Sequence, residues 1–457
     1  MRSAMTVWFD DSLPIATSII RTELGDDLLG HTVFVRDTTG RLSAVVGASL
    51  DTETLERVGA RLHEELGPYA RDDRALTDQN GFGAARLLVE AQGALQVYVG
   101  DHKVKLLERR IVGADWLRPP SKTAGPVPRI VFSSLKGGVG RSTALCVMAA
   151  YLSRRGLRVL CVDFDLEAPG IGSMLLRTNE LPKFGMLDYF VESGISTINP
   201  SFLNDLIGDS YLGSAGARVA VIPAIGAATE SHPENAIAKL SRAYLEEFSD
   251  DGKAISLTER LRRLIEQLEA TSSFDVVLLD ARAGLHESTA AAIQGLGADT
   301  LLFGTDQPQT YLGYSLLMKH LAQFPADGSD DWRERIRFVH AKASDSESTQ
   351  ARALERFADL YKMLETAPAD LEPEGDTLTS DDFAFEWETD DPTVARDIED
   401  EFAIPQVLRI LDDSNYRDFD PIARAMLLEH ASYRATFESL LDYGDEIANS
   451  ILNSITT

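Results

Sequence analysis

The chain has 457 residues, with 72 acidic against 44 basic side chains and a formal net charge of −28. At about 100 to 200 residues per domain that length suits two or three domains, and 44% hydrophobic residues are enough for real cores. A surface so negative repels phosphate backbones and anionic lipid, which disfavours nucleic-acid or membrane binding driven by charge. No apolar run approaches the ~18 residues of a spanning helix. The first residues run into Asp10-Asp11 and not into an apolar signal core, so a cytoplasmic location is expected. Cys146 and Cys161 lie in apolar stretches without metal-type spacing and read as buried free thiols.

In chain order, residues 1–118 alternate short β-like runs with helical patterns. The runs are His31 to Arg36, Leu42 to Val46, Leu95 to Val99 and Val104 to Glu108, and the clearest helix is Thr52 to Leu66. This predicts a smaller N-terminal α+β domain. Residues 119–128 hold Pro119, Pro120, Pro126 and Pro128 among small polar residues, which forbids helix and reads as an exposed linker.

From Arg129 the pattern becomes β then α repeatedly, and residues 129–457 are assigned to one α/β domain. Ile130-Val131-Phe132 leads into a glycine loop and then a helix from Ser142 to Arg155, ending at Gly156. Apolar strands follow at Arg158 to Val162, Val219 to Ile222, Asp275 to Leu279, Thr300 to Phe303 and Ile336 to Val339. Continuous apolar strands with long crossovers predict a doubly wound, mostly parallel sheet covered on both faces. An acidic insertion over residues 365–401 holds fifteen acidic residues and one basic, Arg396. Its Asp381-Asp382-Phe383-Ala384-Phe385-Glu386-Trp387-Glu388 suits either a solvated loop or a docking peptide for a basic groove. Helical periodicity returns in Ile422, Met426 and Leu427, and again in Phe437, Leu440 and Leu441.

Three segments carry chemistry. Lys136-Gly137-Gly138-Val139-Gly140-Arg141-Ser142-Thr143 follows a predicted strand and opens a predicted helix. Glycines let backbone N–H groups turn toward phosphate oxygens, the helix N-terminus adds positive potential, and Ser142 stands where a hydroxyl ligates Mg²⁺. Val162-Asp163-Phe164-Asp165-Leu166-Glu167 delivers acids at a strand's edge facing that loop. Asp275 to Leu279 is an apolar strand ending in Asp280, the pattern that brings a carboxylate beside the first strand's loop. Arg282 then suits either phosphate charge or a pair with Asp280.

In the first segment Leu135 replaces the ordinary loop's first glycine, Lys136 is an additional lysine, and Arg141 replaces the usual lysine. It resembles the deviant Walker A family of ParA/MinD-type P-loop ATPases, in its KGGVGR-variant branch. The resemblance extends through Val162 to Gly170, Phe274 to Leu285 and Ala298 to Pro308, and spans Arg129 to Val339. It implies ATP and Mg²⁺ as cofactors, a loop from Lys136 to Thr143 that binds nucleotide, and metal held through Ser142, Asp163 and Asp280. It also implies that Asp165 orients the attacking water and that Lys136 reaches a partner's phosphates in an ATP-dependent homodimer. Relatives often place an asparagine after the strand at Ile336 to Val339, where this chain has His340, Ala341 and Lys342. Adenine is therefore implied by the likeness alone, and His340 reads as a capped or partly buried histidine.

The function expected is an ATP-binding, slowly hydrolysing switch acting on a protein partner, which the chain's charge suggests is basic. The alternatives are a nucleotide-binding scaffold without turnover and a DNA-partitioning ATPase, the latter disfavoured by charge. The C-terminal run Asp445 to Ser454 lacks the basic face that anchors helices to anionic lipid.

Overall fold

The computed structural model describes residues 7–91, 94–213, 217–248, 254–271, 273–324, 331–365 and 406–456. The acidic insertion and its aromatic motif lie outside the described residues, apart from Glu365.

Near the N-terminus, strands β1 (Thr32–Arg36), β2 (Leu42–Val46), β3 (Leu76–Asp78), β4 (Leu95–Val99) and β5 (His102–Glu108) form one sheet in the order β3-β2-β1-β5-β4. It is mixed, with β1 antiparallel to β2 but parallel to β5. The helices Phe9–Gly30 and Thr52–Leu66 supply the apolar stripe that covers one face. Leu13, Ile19, Ile20, Val58, Leu62 and Leu66 pack there against Phe34, Ala44 and Leu106. A second, smaller cluster of Val33, Val35 and Val45 with Ala84 and Ala91 covers the other. The helix Phe9–Gly30 was not anticipated from sequence, because Pro14 and Gly25 interrupt its pattern.

The second sheet has eight strands: β6 (Arg129–Ser134), β7 (Val159–Phe164), β8 (Gly208–Asp209), β9 (Val219–Ile222), β12 (Val276–Ala283), β13 (Asp299–Gly304), β14 (Ile336–Ala343) and β15 (Leu408–Leu411). A two-stranded ribbon, β10 (Glu247–Phe248) with β11 (Ala254–Ile255), stands apart from it. The eight-stranded order is β15-β14-β13-β6-β12-β7-β9-β8, and every pairing is parallel except β8 with β9. Crossover helices cover both faces, as continuous apolar strands require. Strand order reverses around β6, which lies between β12 and β13. The loops after β6, β12 and β7 therefore meet at one point on the C-terminal edge.

Two details depart from expectation. Ile422 and Met426 are exposed and lie in no α-helix; that stretch carries only a short 3-10 turn at Ala425–Leu428, and the long helix starts at His430. The linker is mostly exposed yet pinned. Ser121 N donates to Gln294 O (2.7 Å), Gln294 Nε2 donates to Arg118 O (2.8 Å), and the left-handed Gly297 (φ 57°) passes so close to Thr123 that no Cβ would fit.

β6 itself is anchored at its first residue. The guanidinium of Arg129 forks onto Glu269 (2.8 and 2.7 Å) and donates to Leu296 O (2.9 Å), with both side chains buried. Glu269→Ala leaves that guanidinium buried and unpaired, and is expected to cost about 3–5 kcal/mol. Urea unfolding of the two proteins measures the loss.

Candidate functional site

The glycine loop leaves β6 at Ser134 and enters the helix Arg141–Arg154. Gly138 (φ 75°) and Gly140 (φ 90°) hold left-handed backbone that side chains resist. A Cβ at Gly137, Gly138 or Gly140 would meet no atom within 4 Å, so the loop surrounds open space. Gly140 caps the helix without a side-chain acceptor, which leaves first-turn N–H groups available to an anion. Val139 is buried and fixes the loop from below, while Ser134 Oγ donates to Lys136 O at 2.9 Å. Thr143 is buried one residue behind Ser142.

The acids converge on this loop. β12 and β7 run side by side in a register that places Asp280 opposite Asp163, and neither carboxylate reaches solvent. Ser142 Oγ donates to Asp280 Oδ2 at 2.6 Å. Arg141 Nε donates to Asp280 Oδ1 (2.5 Å) and Nη2 to Asp165 Oδ2 (3.0 Å), so one buried guanidinium bridges the strand-end acid and the first acidic loop. Asp163 accepts from Gly170 N (3.0 Å) and Asp165 N (3.3 Å). Burial, then the charge of Asp280, pushes its carboxyl up to about 7 against those two donors. Asp280 is also shifted up by burial, which outweighs its contacts with Arg141 and Ser142. Arg141 thus answers two of the three acids, Asp280 and Asp165, while Asp163 is held by backbone N–H groups alone.

Arg141, Ser142, Asp163, Asp165 and Asp280 are brought together; Lys136 is not. Its ammonium donates to Gln309 Oε1 on the helix Pro308–Leu321, outside the cradle. That helix approaches closely because position 313 is glycine; a Cβ there would lie 2.5 Å from Leu135 Cδ1. Arg282 does not pair with Asp280: it pairs with Glu167, joining the loop after β12 to the loop after β7. The register explains this, since Arg282 stands two residues beyond Asp280 on a strand flanking the Asp165–Glu167 loop. Gln309 carried no sequence signal, and Glu167 stood out only as one of the acids after β7; the partners of both come from packing. His340 is buried in β14 with its ring 6.0 Å from Phe357, and burial holds it below the ordinary histidine range.

The oxygen donors suit a hard cation: one hydroxyl and buried carboxylates carrying charge in excess of their single guanidinium. Among the described residues, however, no three His, Cys, Asp or Glu side chains are grouped so as to hold a metal. No helix among them is long and apolar enough to cross a membrane.

The sequence model of the CobQ/CobB/MinD/ParA nucleotide binding domain matches residues 130–375, more than half of the chain. The chain belongs to that family. An iron-sulfur cluster carrier protein of Methanocaldococcus jannaschii is 37% identical over 78 residues, which are 16% of this chain and 27% of that relative's length. Similar solved structures include a ParA family ATPase from Chlorobium tepidum (17% identity, 69% of this chain, 98% of that chain, TM-score 0.42). The MinD cell division protein of Aquifex aeolicus is similar too (14%, 72%, 97%, TM-score 0.42). A third is cobyrinic acid a,c-diamide synthase from Mycobacterium smegmatis with bound ADP and magnesium (17%, 51%, 82%, TM-score 0.34). As a CobQ/CobB/MinD/ParA nucleotide-binding domain, the chain presents its loop, both acidic edges and a mostly parallel sheet in one arrangement.

The helix after β12 ties this domain to the preceding segment: Glu287, in its first turn, accepts from Ala114 N at 2.7 Å. Burial raises the Glu287 carboxyl above its ordinary value of 4.5, and the Ala114 N–H pulls the other way. The native state therefore keeps its proton to higher pH than the unfolded chain, and stability falls as pH rises from the unfolded value through the native one. Glu287→Gln cannot ionise. Its melting temperature relative to wild type is expected to rise between pH 4 and pH 7, which paired thermal melts will measure.

Proposed function

We propose that the protein is an ATP-binding, slowly hydrolysing switch whose two copies close on nucleotide through the glycine-loop face and act on a protein partner. The observation that carries the dimer is the placement of Lys136. Its amine lies outside its own cradle, on Gln309, beside Leu312 and Leu316, which are 59% and 57% exposed one turn apart on the same helix. A lysine so placed is free to serve the nucleotide of a facing copy.

Within one copy, the loop N–H groups from Lys136 to Thr143 bind phosphate oxygens, and Arg141 adds charge. Mg²⁺ would be held through Ser142 with Asp280 and Asp163 behind it, where it supplies neutralisation of phosphate charge. Asp165 is the acid best placed to orient water, because it stands on the loop after β7 and not on the strand that carries Asp280. The protein partner is supported by a groove of about 1230 Å³ beside Asp163. Its lining includes the exposed Glu230 and Asp420 against Arg177, an acidic excess that suits a basic surface.

A second reading, a scaffold that binds nucleotide without turnover, is favoured by Arg141 itself. A guanidinium committed to two buried acids is bulkier and less mobile than lysine's point charge. Phosphate release by the purified protein separates the two readings.

Lys136→Ala is expected to remain monomeric with ATP and Mg²⁺ under light scattering, where wild type doubles in mass. Equal masses for both proteins would sink the dimer. Asp165→Ala is expected to abolish turnover while sparing ATP affinity, since a water-orienting carboxylate acts at the barrier and little in the ground state. Hydrolysis at the wild-type rate would remove Asp165 from its role.

A further inference from the structure

Where a divalent cation is expected, the structure seats a side chain. Arg141 contacts Asp280 at 2.5 Å and Asp165 at 3.0 Å, while Ser142 Oγ contacts the second oxygen of Asp280 at 2.6 Å. Both oxygens of Asp280 are therefore engaged within the chain, and all of these groups except Ser142 are buried. Asp163 lies in register with Asp280 on the adjacent strand. Asp280 and Asp165 are thus organised about a guanidinium. We infer that Arg141 is the resident counter-ion of Asp280 and Asp165 in the nucleotide-free protein, and that it must leave Asp280 before a divalent cation can be held there.

The physical argument is charge balance. Asp280 and Asp165 buried together without a cation are strongly unfavourable, so a chain that empties and refills this site needs an internal substitute for the metal. Arg141 is suited to that exchange because it opens the helix after the glycine loop, adjacent to where phosphate arrives. Phosphate oxygens offer the guanidinium an alternative partner of the same geometry as a carboxylate. When Arg141 turns toward them, Asp280 Oδ1 is freed, while Ser142 keeps its bond to Oδ2 and stays beside it. Lysine could not do this equally well, as a single ammonium lacks the planar fork that spans two carboxylates. Cation entry is then conditional on nucleotide, and the free protein is selective against metal.

This rests on the nucleotide-switch reading for its purpose, but its test does not need ATP. The probe is Mn²⁺ alone, added to the nucleotide-free full-length protein and followed by electron paramagnetic resonance and by thermal unfolding against EDTA. Wild type is expected to bind no Mn²⁺ at this site and to show no shift in melting temperature. Arg141→Gln removes the cation at similar length and is expected to bind one Mn²⁺ saturably, at least about tenfold tighter than wild type. Arg141→Gln with Asp280→Asn is expected to lose that binding. If Arg141→Gln fails to fold in EDTA, Mn²⁺ is expected to restore it where Na⁺ does not. Saturable Mn²⁺ binding by nucleotide-free wild type would overturn the inference. So would a folded Arg141→Gln that binds no Mn²⁺, or one that stays unfolded with Mn²⁺ present. Wild-type ATP affinity, measured separately, decides the switch reading: its absence would refute that reading and leave the Mn²⁺ result standing.

Discussion

The site depends on how Asp165 and Asp280 are kept inside a protein by one guanidinium, with a third buried acid, Asp163, beside them. Asp163 and Asp280 are placed opposite each other by the parallel register of β7 and β12, and Asp165 follows two residues on. Charges so close and so dry raise one another's cost, which is visible in the upward shift of both Asp163 and Asp280. Arg141 makes the arrangement tolerable, and it is in turn fixed by being the first residue of a helix buried on nearly every side. Loop, first acidic edge and second acidic edge are therefore one electrostatic unit. A change in any of them is felt by the other two.

The fold exists around that unit in a specific way. Reversal of strand order at β6 brings three loops together, and the anchoring of Arg129 on Glu269 fixes the opposite end of the same strand. The second ion pair, Arg282 with Glu167, ties the same two loops further out, where both side chains are about one-third exposed. An exposed pair of that kind adds little stability. It joins the loops after β7 and β12 further from the sheet than the buried bridge does.

The segment between the two sheets belongs to this picture as well. It is written in prolines and small residues, yet it is pinned along the helix Glu287–Gly295, from Ala114 on Glu287 to Ser121 on Gln294. That helix begins just beyond Arg282. Movement of the loop after β12 would therefore be transmitted to the chain preceding β6 through these hydrogen bonds and through the core that Trp116 shares with Ala290, Ala291 and Ile293.

Much of this was legible in the residues themselves. Strands β2, β4 and β9 and the helix Thr52–Leu66 fall where periodicity places them, because apolar alternation and helical spacing are local properties. The glycine loop was legible because Gly138 and Gly140 need conformations that sequence alone announces. Asp163, Asp165 and Asp280 were legible as strand-end acids. Their mutual arrangement was not, since register between β7 and β12 depends on a crossover of more than a hundred residues. The partners of the charged side chains were equally hidden. Arg141 on two acids, Lys136 on Gln309 and Arg282 on Glu167 join segments remote in sequence, and pairing of long side chains is decided by which backbone ends meet in space. Residue chemistry and local period determined which groups the site would contain; the tertiary structure alone decided which charge answers which, because electrostatic partners are chosen by distance in the folded chain.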